Sequence, residues 1–506
     1  MPAYNPSPIR FRPRPVFKEY LQYDATGLAA LIAAREVSAS EVLDAALARL
    51  EAVNPQINAF CTPMIDAART RAAGPLSGPF AGVPFLIKDI AQHVKGVPTS
   101  AGTGVLKDWC PGVSSEIVLR FERAGLVSFG KTTLPELALK GCTESRLWGP
   151  TRNPWKLDRT PGGSSGGAAA AVAAGIVPAA SASDGGGSIR IPASYCGLFG
   201  LRPGRGRVPP GPTHDEFWEG ASSEHALTRT VRDSAGLLDA IHGADQGSPF
   251  RIAAPERPYA DEVGRDPGRL RIGFSTASPI NQPVDPDYVR AVHDTAKLLE
   301  SLGHHVEEAR PAIDGMALAR CYLTMYYGQT AAAVDHACAL TGASEADFEL
   351  ETRALALFGR SLTAGEYVAR RQEWNGFMRA LGDFHQRYDL YLVPSAAQAP
   401  ALIGSQDLPL AEQIGIRAVL KLGLGRQVLK SGLIDRIAGK SLGRVPFTQL
   451  SNLTFTPSMS VPLHMDRDGL PIGMQFVAAS GGEGLLIRLA SQLEAAAPWA
   501  GRRAPI

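Results

Sequence analysis

The sequence predicts an α/β protein, a largely buried sheet with helices running between its strands. Short apolar runs of strand length recur, as in Gly-Val-Pro-Phe-Leu-Ile at 82–87 and Asp-Leu-Tyr-Leu-Val-Pro at 389–394. Stretches with helical apolar spacing alternate with them along the whole chain. The composition, 45% hydrophobic and 20% charged, is that of a globular protein rather than a disordered one. A chain of 506 residues can bury a large core, as one big domain or two to three smaller ones.

Residues 26–53 read as two helices. Ser38 and Glu41 form a capping box ahead of Val42, Leu43, Ala46 and Leu50, and Asn54-Pro55 is expected to stop the second helix. A strand follows at 82–87, a helix at 114–123 and a strand at 126–129. Glycines open a helix at 166–174, and a strand follows at 176–183. The rhythm then repeats: helix 231–241, strand 270–275, helix 286–302, strand 389–394, strand 470–477 and closing helix 484–493. No tandem repeat or low-complexity linker interrupts it.

Charge and cysteine usage exclude several classes. Lys plus Arg total 51 and Asp plus Glu 49, a net charge of +2, without the basic excess of a nucleic-acid binder. Six dispersed cysteines with no CxxC pair form no disulfide framework, and a reduced cytoplasmic setting suits them. The histidines show no metal-ligand spacing, so no metal is expected. The first 20 residues lack the apolar segment of a secretory signal and read as an extended arm or a frayed tail. The most apolar long run, 168–182, is alanine-rich and broken by Pro178, so it reads as a buried helix and strand, not a membrane span. The segment 417–440 carries six cations against Asp435, with aliphatic residues between them. It reads as a helix pair packed on the core with a solvated basic face; a membrane-touching or lid element is the other reading.

Three stretches carry chemistry. Gly162-Gly163-Ser164-Ser165-Gly166-Gly167 lets the backbone approach a ligand closely. It contains G-x-S-x-G twice, but an elbow-type nucleophile should follow a strand, and Asp158-Arg159-Thr160-Pro161 precedes it. Asp184-Gly185-Gly186-Gly187-Ser188-Ile189-Arg190 frees several backbone amides just before a hydroxyl, an arrangement able to cradle an oxyanion. Asp184 and Arg190 flank that turn and can brace it by an ion pair. Lys88 ends the apolar strand; held out of water, a lysine gives up its proton more readily and can serve as a base.

In this order and spacing, the three resemble the amidase signature family of serine hydrolases. Flanking segments extend the likeness: Gly130-Lys131-Thr132, Thr143-Glu144-Ser145, Asn153-Pro154-Trp155, Gly200-Leu201-Arg202-Pro203, Thr228-Arg229-Thr230-Val231-Arg232-Asp233 and Leu470-Pro471-Ile472-Gly473-Met474-Gln475. The resemblance implies a mixed, twisted central sheet covered by helices on both faces. It also implies a triad, with Ser188 as nucleophile, Ser164 as bridge through a cis bond to Gly163, and Lys88 as base. The oxyanion hole would be the amides of Gly185, Gly186, Gly187 and Ser188. Gly163, Ser165, Asp184 and Arg190 would support it, with Ser165 the less suitable bridge. Thr133, Thr456-Pro457 and Arg202-Pro203-Gly204 depart from the family's usual residues without touching the triad.

By the same resemblance the chain divides into an arm and helices at 1–75, a catalytic core at 76–240 and the remainder of the domain at 241–506, with a helical pocket insertion around 311–450. The implied activity is hydrolysis of a linear or cyclic small-molecule amide, with no cofactor, no nucleic acid and no membrane span; a homodimer is compatible with it. Within the family, the 183–194 and 321–327 segments are similar to 6-aminohexanoate cyclic-dimer hydrolases, which makes Cys321 a pocket candidate beside its reading as a core thiol. A glutamine amidotransferase subunit, an esterase or carbamate hydrolase on the same fold, an elbow-type esterase with a histidine base, and a non-catalytic binding protein are the competing readings.

Overall fold

A computed structural model describes residues 17–506; most of the expected N-terminal arm lies outside them. The strands are β1 (Phe60–Pro63), β2 (Pro84–Lys88), β3 (Val127–Thr132), β4 (Glu144–Ser145), β5 (Gly149–Pro150), β6 (Ala179–Asp184), β7 (Phe199–Arg202), β8 (Ser223–Thr228), β9 (Arg271–Phe274), β10 (His305–Glu308), β11 (Leu390–Pro394), β12 (Ser458–Met465) and β13 (Pro471–Ala478). Eleven of them form one sheet in the order β1-β3-β2-β6-β8-β7-β12-β13-β11-β9-β10. It is mixed: β2 runs parallel to β3 and β6, and β9 parallel to β10 and β11, while the β6–β8–β7–β12–β13–β11 run is antiparallel. The expected α/β sheet with helices on both faces is present, and its C-terminal strands sit between the two halves of the chain.

Apolar pattern accounts for the helices. Glu116–Arg123 turns Ile117, Val118 and Phe121 into the core, each burial worth roughly 1.5–3 kcal/mol. The helix Gly166–Ala173 is buried on every side, which only its run of glycine and alanine permits. At Gly166 a Cβ would collide with Thr143. The capping box at Ser38 is formed, but Asn54-Pro55 does not stop that helix, which runs Ala39–Ile57. A proline in the last turn forfeits one amide bond. The end is closed instead by Asn58 in the left-handed conformation and by Asn54 Oδ1, which accepts the Ala59 and Phe60 amides at 2.8 and 3.1 Å.

Long helices Gly315–Thr341, Leu350–Ser361 and Ala364–His385 lie between β10 and β11. Around them a second apolar cluster gathers Tyr322, Tyr327, Phe358, Trp374 and Phe455. The basic segment folds as parts of the helices Leu410–Leu422, Gly425–Lys430 and Leu433–Leu442. Val428, Leu429 and Ile437 pack on that cluster, and Arg426 and Lys440 pair with Glu366 and Glu412. The packed reading holds for this part, whereas Ile414 and Leu422 stand 60% and 66% exposed. Among the described residues, no helix is long and apolar enough to cross a membrane.

Candidate active site

The sheet brings the three chemistry-bearing stretches together. Lys88 is the last residue of β2, paired to β3 at Thr132, and its strand is paired to β6 through Leu86 and Ala180. Its amide donates to Ser181 Oγ at 2.8 Å, and Ser181 in turn bonds Gln92. The side chain is fully buried, and Nζ lies 2.9 Å from each of three hydroxyls: Ser164, Ser165 and Ser183. Burial lowers the Lys88 pKa to about 7, although Asp184 and Glu224 pull the other way. This amine is therefore largely uncharged above neutral pH and poised to accept a proton.

The two serines of the glycine-rich loop differ. The Gly163–Ser164 peptide bond is cis. A side chain at Gly163 would strike the backbone of Lys140 and Cys142, so only glycine fits there. Ser165 is held on several sides: its hydroxyl bonds Ser183 O at 3.3 Å and receives the Ser183 amide at 3.4 Å. The Ser164 hydroxyl meets Lys88 alone among the described residues. No strand precedes this loop, so the elbow geometry is absent.

The triple-glycine turn leaves β6 and enters the helix Arg190–Cys196. Asp184 and Arg190 do brace it, with Arg190 Nε and Nη2 each 2.9 Å from the Asp184 carboxylate. Arg190 is buried and spends its other donors on Thr448 O, Gln475 Oε1 and Asn452 Oδ1, each at 2.8 Å. Burial opposes charge on Asp184, yet Arg190 beside it holds the carboxyl well below the usual range. The carboxylate also takes the Gly187 amide at 2.7 Å and the Ile189 amide at 3.1 Å. That corrects the four-amide reading: the Gly187 N–H points at Asp184, which leaves those of Gly185, Gly186 and Ser188. Ser188 itself is half-buried.

Residues that the sequence did not single out fix the peptide planes of this turn. Asn452 Nδ2 donates to Asp184 O at 3.1 Å, and Thr448 Oγ1 and Gln449 Nε2 donate to Gly186 O at 2.7 and 3.2 Å. Aromatic rings wall the space beside it. Trp218 lies against Gly185, and the Tyr322 hydroxyl sits where a Gly186 side chain would be. Tyr322 stacks on Tyr326 at 5.9 Å, and Tyr326 meets the Trp218 ring edge-on at 5.6 Å. Trp218 and Glu219 both adopt positive φ, 54° and 56°, a strain concentrated at functional loops. Glu219 is anchored by Tyr367 and Arg371 at 3.0 and 3.2 Å.

Cys321 is turned away from this wall. Its thiol donates to Glu373 Oε2 at 3.4 Å, and burial together with that carboxylate pushes its pKa up to about 12. Tyr322, one residue on, is the side chain that meets Gly186. The core-thiol reading is the one the packing supports.

Known proteins resemble this chain over nearly its whole length. Residues 41–423 match the amidase family. The 6-aminohexanoate-cyclic-dimer hydrolase of Pseudomonas sp. (strain NK87) is 38% identical over 501 residues, covering 96% of each chain. A solved structure of 6-aminohexanoate cyclic dimer hydrolase complexed with substrate superposes with a TM-score of 0.87 at 36% identity, over 96% of this chain and 99% of that one. A bacterial aryl acylamidase of the amidase signature enzymes superposes with a TM-score of 0.79 at 27% identity, over 95% and 99% of the two chains.

Proposed function

The chain belongs to the amidase signature family of C–N hydrolases, and from that premise we propose that it cleaves a small carboxylic amide through an acyl-enzyme on Ser188. The observation that carries the reading is Lys88: a buried amine with a pKa near 7, 2.9 Å from a serine hydroxyl that has no other partner among the described residues.

Ser188 loses its proton to Ser164 as Ser164 passes its own to Lys88. The freed Ser188 oxygen bonds the amide carbon, and the carbonyl oxygen takes up the negative charge. Amides of Gly185, Gly186 and Ser188 meet that charge, each well-placed donor being worth about 3–4 kcal/mol. The proton then returns along the same path to the leaving nitrogen, and the C–N bond breaks. Water repeats the cycle on the ester, releasing the acid and restoring Ser188.

The substrate lies against the helical insertion around 311–450, which supplies Tyr322 and Tyr326. The named walls, Trp218, Tyr322 and Tyr326, are aromatic and uncharged, which suits a neutral and compact amide. The cyclic dimer named for the relatives is the first such compound to try. A fluorophosphonate probe should label Ser188, and the same preparation should open a cyclic amide; linear amides, anilides, carbamates and esters complete the panel. Equal labelling of wild type and Ser188→Ala sinks the assignment.

A further inference from the structure

We propose that Glu224 is a positioning residue of this catalytic centre, a buried carboxyl that acts through Lys88 and sets the pH at which the lysine works. The inference rests on the Ser188–Ser164–Lys88 assignment above.

Register places the two groups together. Glu224 on β8 stands directly opposite Ser183 on β6. Directly opposed residues of an antiparallel pair send their side chains to the same face. Ser183 Oγ on that face is 2.9 Å from Lys88 Nζ. Glu224 is only 3% exposed, and its Oε1 has no hydrogen-bond partner among the described residues. A buried carboxylate left in this way is costly unless it is protonated or faces a cation.

Lys88 is the cation available to it. Arg190 is spent on Asp184, and Arg202 on Thr456 O and Ala221 O. Lys131 pairs with Asp89, and Arg205 with Glu216. His225, the neighbour of Glu224, bonds Ser234, and burial holds its pKa down near 3. Lys88 Nζ meets only neutral groups, three hydroxyls and Ser183 O; Arg202 does too, but its charge is drawn to Asp184 and Glu483, whereas that of Lys88 acts on Glu224.

Burial drives the two groups toward one another in pH. It brings Lys88 down to about 7 and Glu224 up to about 7, while the Gln92 amide and Lys88 draw Glu224 partly back. Interacting groups that titrate in one range do so as a pair. Lys88 is sealed from solvent, but Glu224 lines a cavity of about 30 Å³ with Arg205, Phe217 and Phe250, room enough for water to bring protons to the carboxyl. A negative charge there favours the ammonium that Lys88 becomes when it accepts the serine proton, so it keeps the lysine a stronger base.

The test is the rate of fluorophosphonate labelling of Ser188 against pH, which needs no knowledge of the natural amide. For wild type the rate should rise through one midpoint. For Glu224→Gln the midpoint should move to lower pH by about half a unit or more, with a lower plateau, because the lysine has lost the charge that supported its protonation. Glu224→Asp should return the midpoint toward wild type. A structural role lowers the rate at every pH and leaves the midpoint in place; an unmoved or more alkaline midpoint overturns the proposal. Should Glu224→Gln not fold, Lys88→Met reads the coupling from the other side. The infrared stretch of the protonated Glu224 carboxyl should then persist to higher pH than in wild type, and an unchanged titration overturns the proposal equally. Labelling that survives Ser188→Ala refutes the catalytic assignment itself, a different result from an unmoved midpoint.

Discussion

Lys88 Nζ stands 2.9 Å from Ser164 Oγ, across 76 residues of sequence, in an interior that excludes water from both. A pKa brought down to about 7 by burial gives the proposed reaction a definite pH dependence. The base acts only when unprotonated. Its active fraction falls about tenfold for each pH unit below the midpoint and levels off above it. We therefore expect kcat/KM for any amide the enzyme accepts to climb between pH 5 and 7 and flatten on the alkaline side. A profile level down to about pH 5 excludes a lysine base.

Lys88 also lies 2.9 Å from Ser165 Oγ, so distance alone does not choose the bridge. Engagement does. Ser165 is tied to both the amide and the carbonyl of Ser183, whereas the Ser164 hydroxyl meets Lys88 alone among the described residues. Ser164→Ala should cost roughly 10²–10⁴-fold in kcat, the range for a lost proton-transfer group. Ser165→Ala should cost about tenfold, by loosening the lysine, with the pH midpoint unmoved. Steady-state kinetics on both variants decide it, and a reversed ranking makes Ser165 the bridge.

These serines were legible in the sequence because glycine-rich turns with a hydroxyl at fixed offset are local signals. So was Lys88, at the end of an apolar strand. Cys321 shows where locality runs out. The resemblance locates the helix Gly315–Thr341 near the substrate, but successive residues on a helix point about 100° apart. That single step gives the wall to Tyr322 and hides Cys321 against Glu373. Glu224 was invisible for another reason. Its strand reads Ser-Glu-His-Ala-Leu-Thr, with no apolar alternation, and is buried at every residue between two neighbours that only the folded sheet supplies. Asn452 meets Asp184 across 268 residues, a contact no spacing rule foresees.

Asn452 should nevertheless matter to rate. Its amide nitrogen bonds Asp184 O, Asp184 Oδ1 and Ala221 O at 3.1, 3.0 and 2.9 Å, and its oxygen receives Arg190. Pinning the Asp184 carbonyl fixes the plane of the peptide whose N–H belongs to Gly185. Oxyanion donors stabilise charge that develops only in the transition state. Asn452→Leu should therefore lower kcat by about 10²–10³-fold and leave KM within a few-fold of wild type. A change in KM alone would assign Asn452 to substrate binding instead.

The buried Lys88 should also cost the fold stability, and the sign follows from its titration. Its pKa falls from the 10.5 of an ordinary lysine to about 7 in the folded chain. Between those two values the unfolded chain holds the extra proton, so stability rises with pH across that window. The penalty is present in full below about 7 and is lost as pH climbs toward 10.5. Methionine has a similar length and no charge to desolvate. Lys88→Met should be inactive yet melt a few degrees higher than wild type at pH 6. That gain should shrink at pH 9.5, where the wild-type lysine is already neutral in the fold. Thermal denaturation of both proteins at the two pH values measures it. A variant less stable than wild type at pH 6 would show that the hydroxyl cage around Nζ more than offsets the cost of burying the amine.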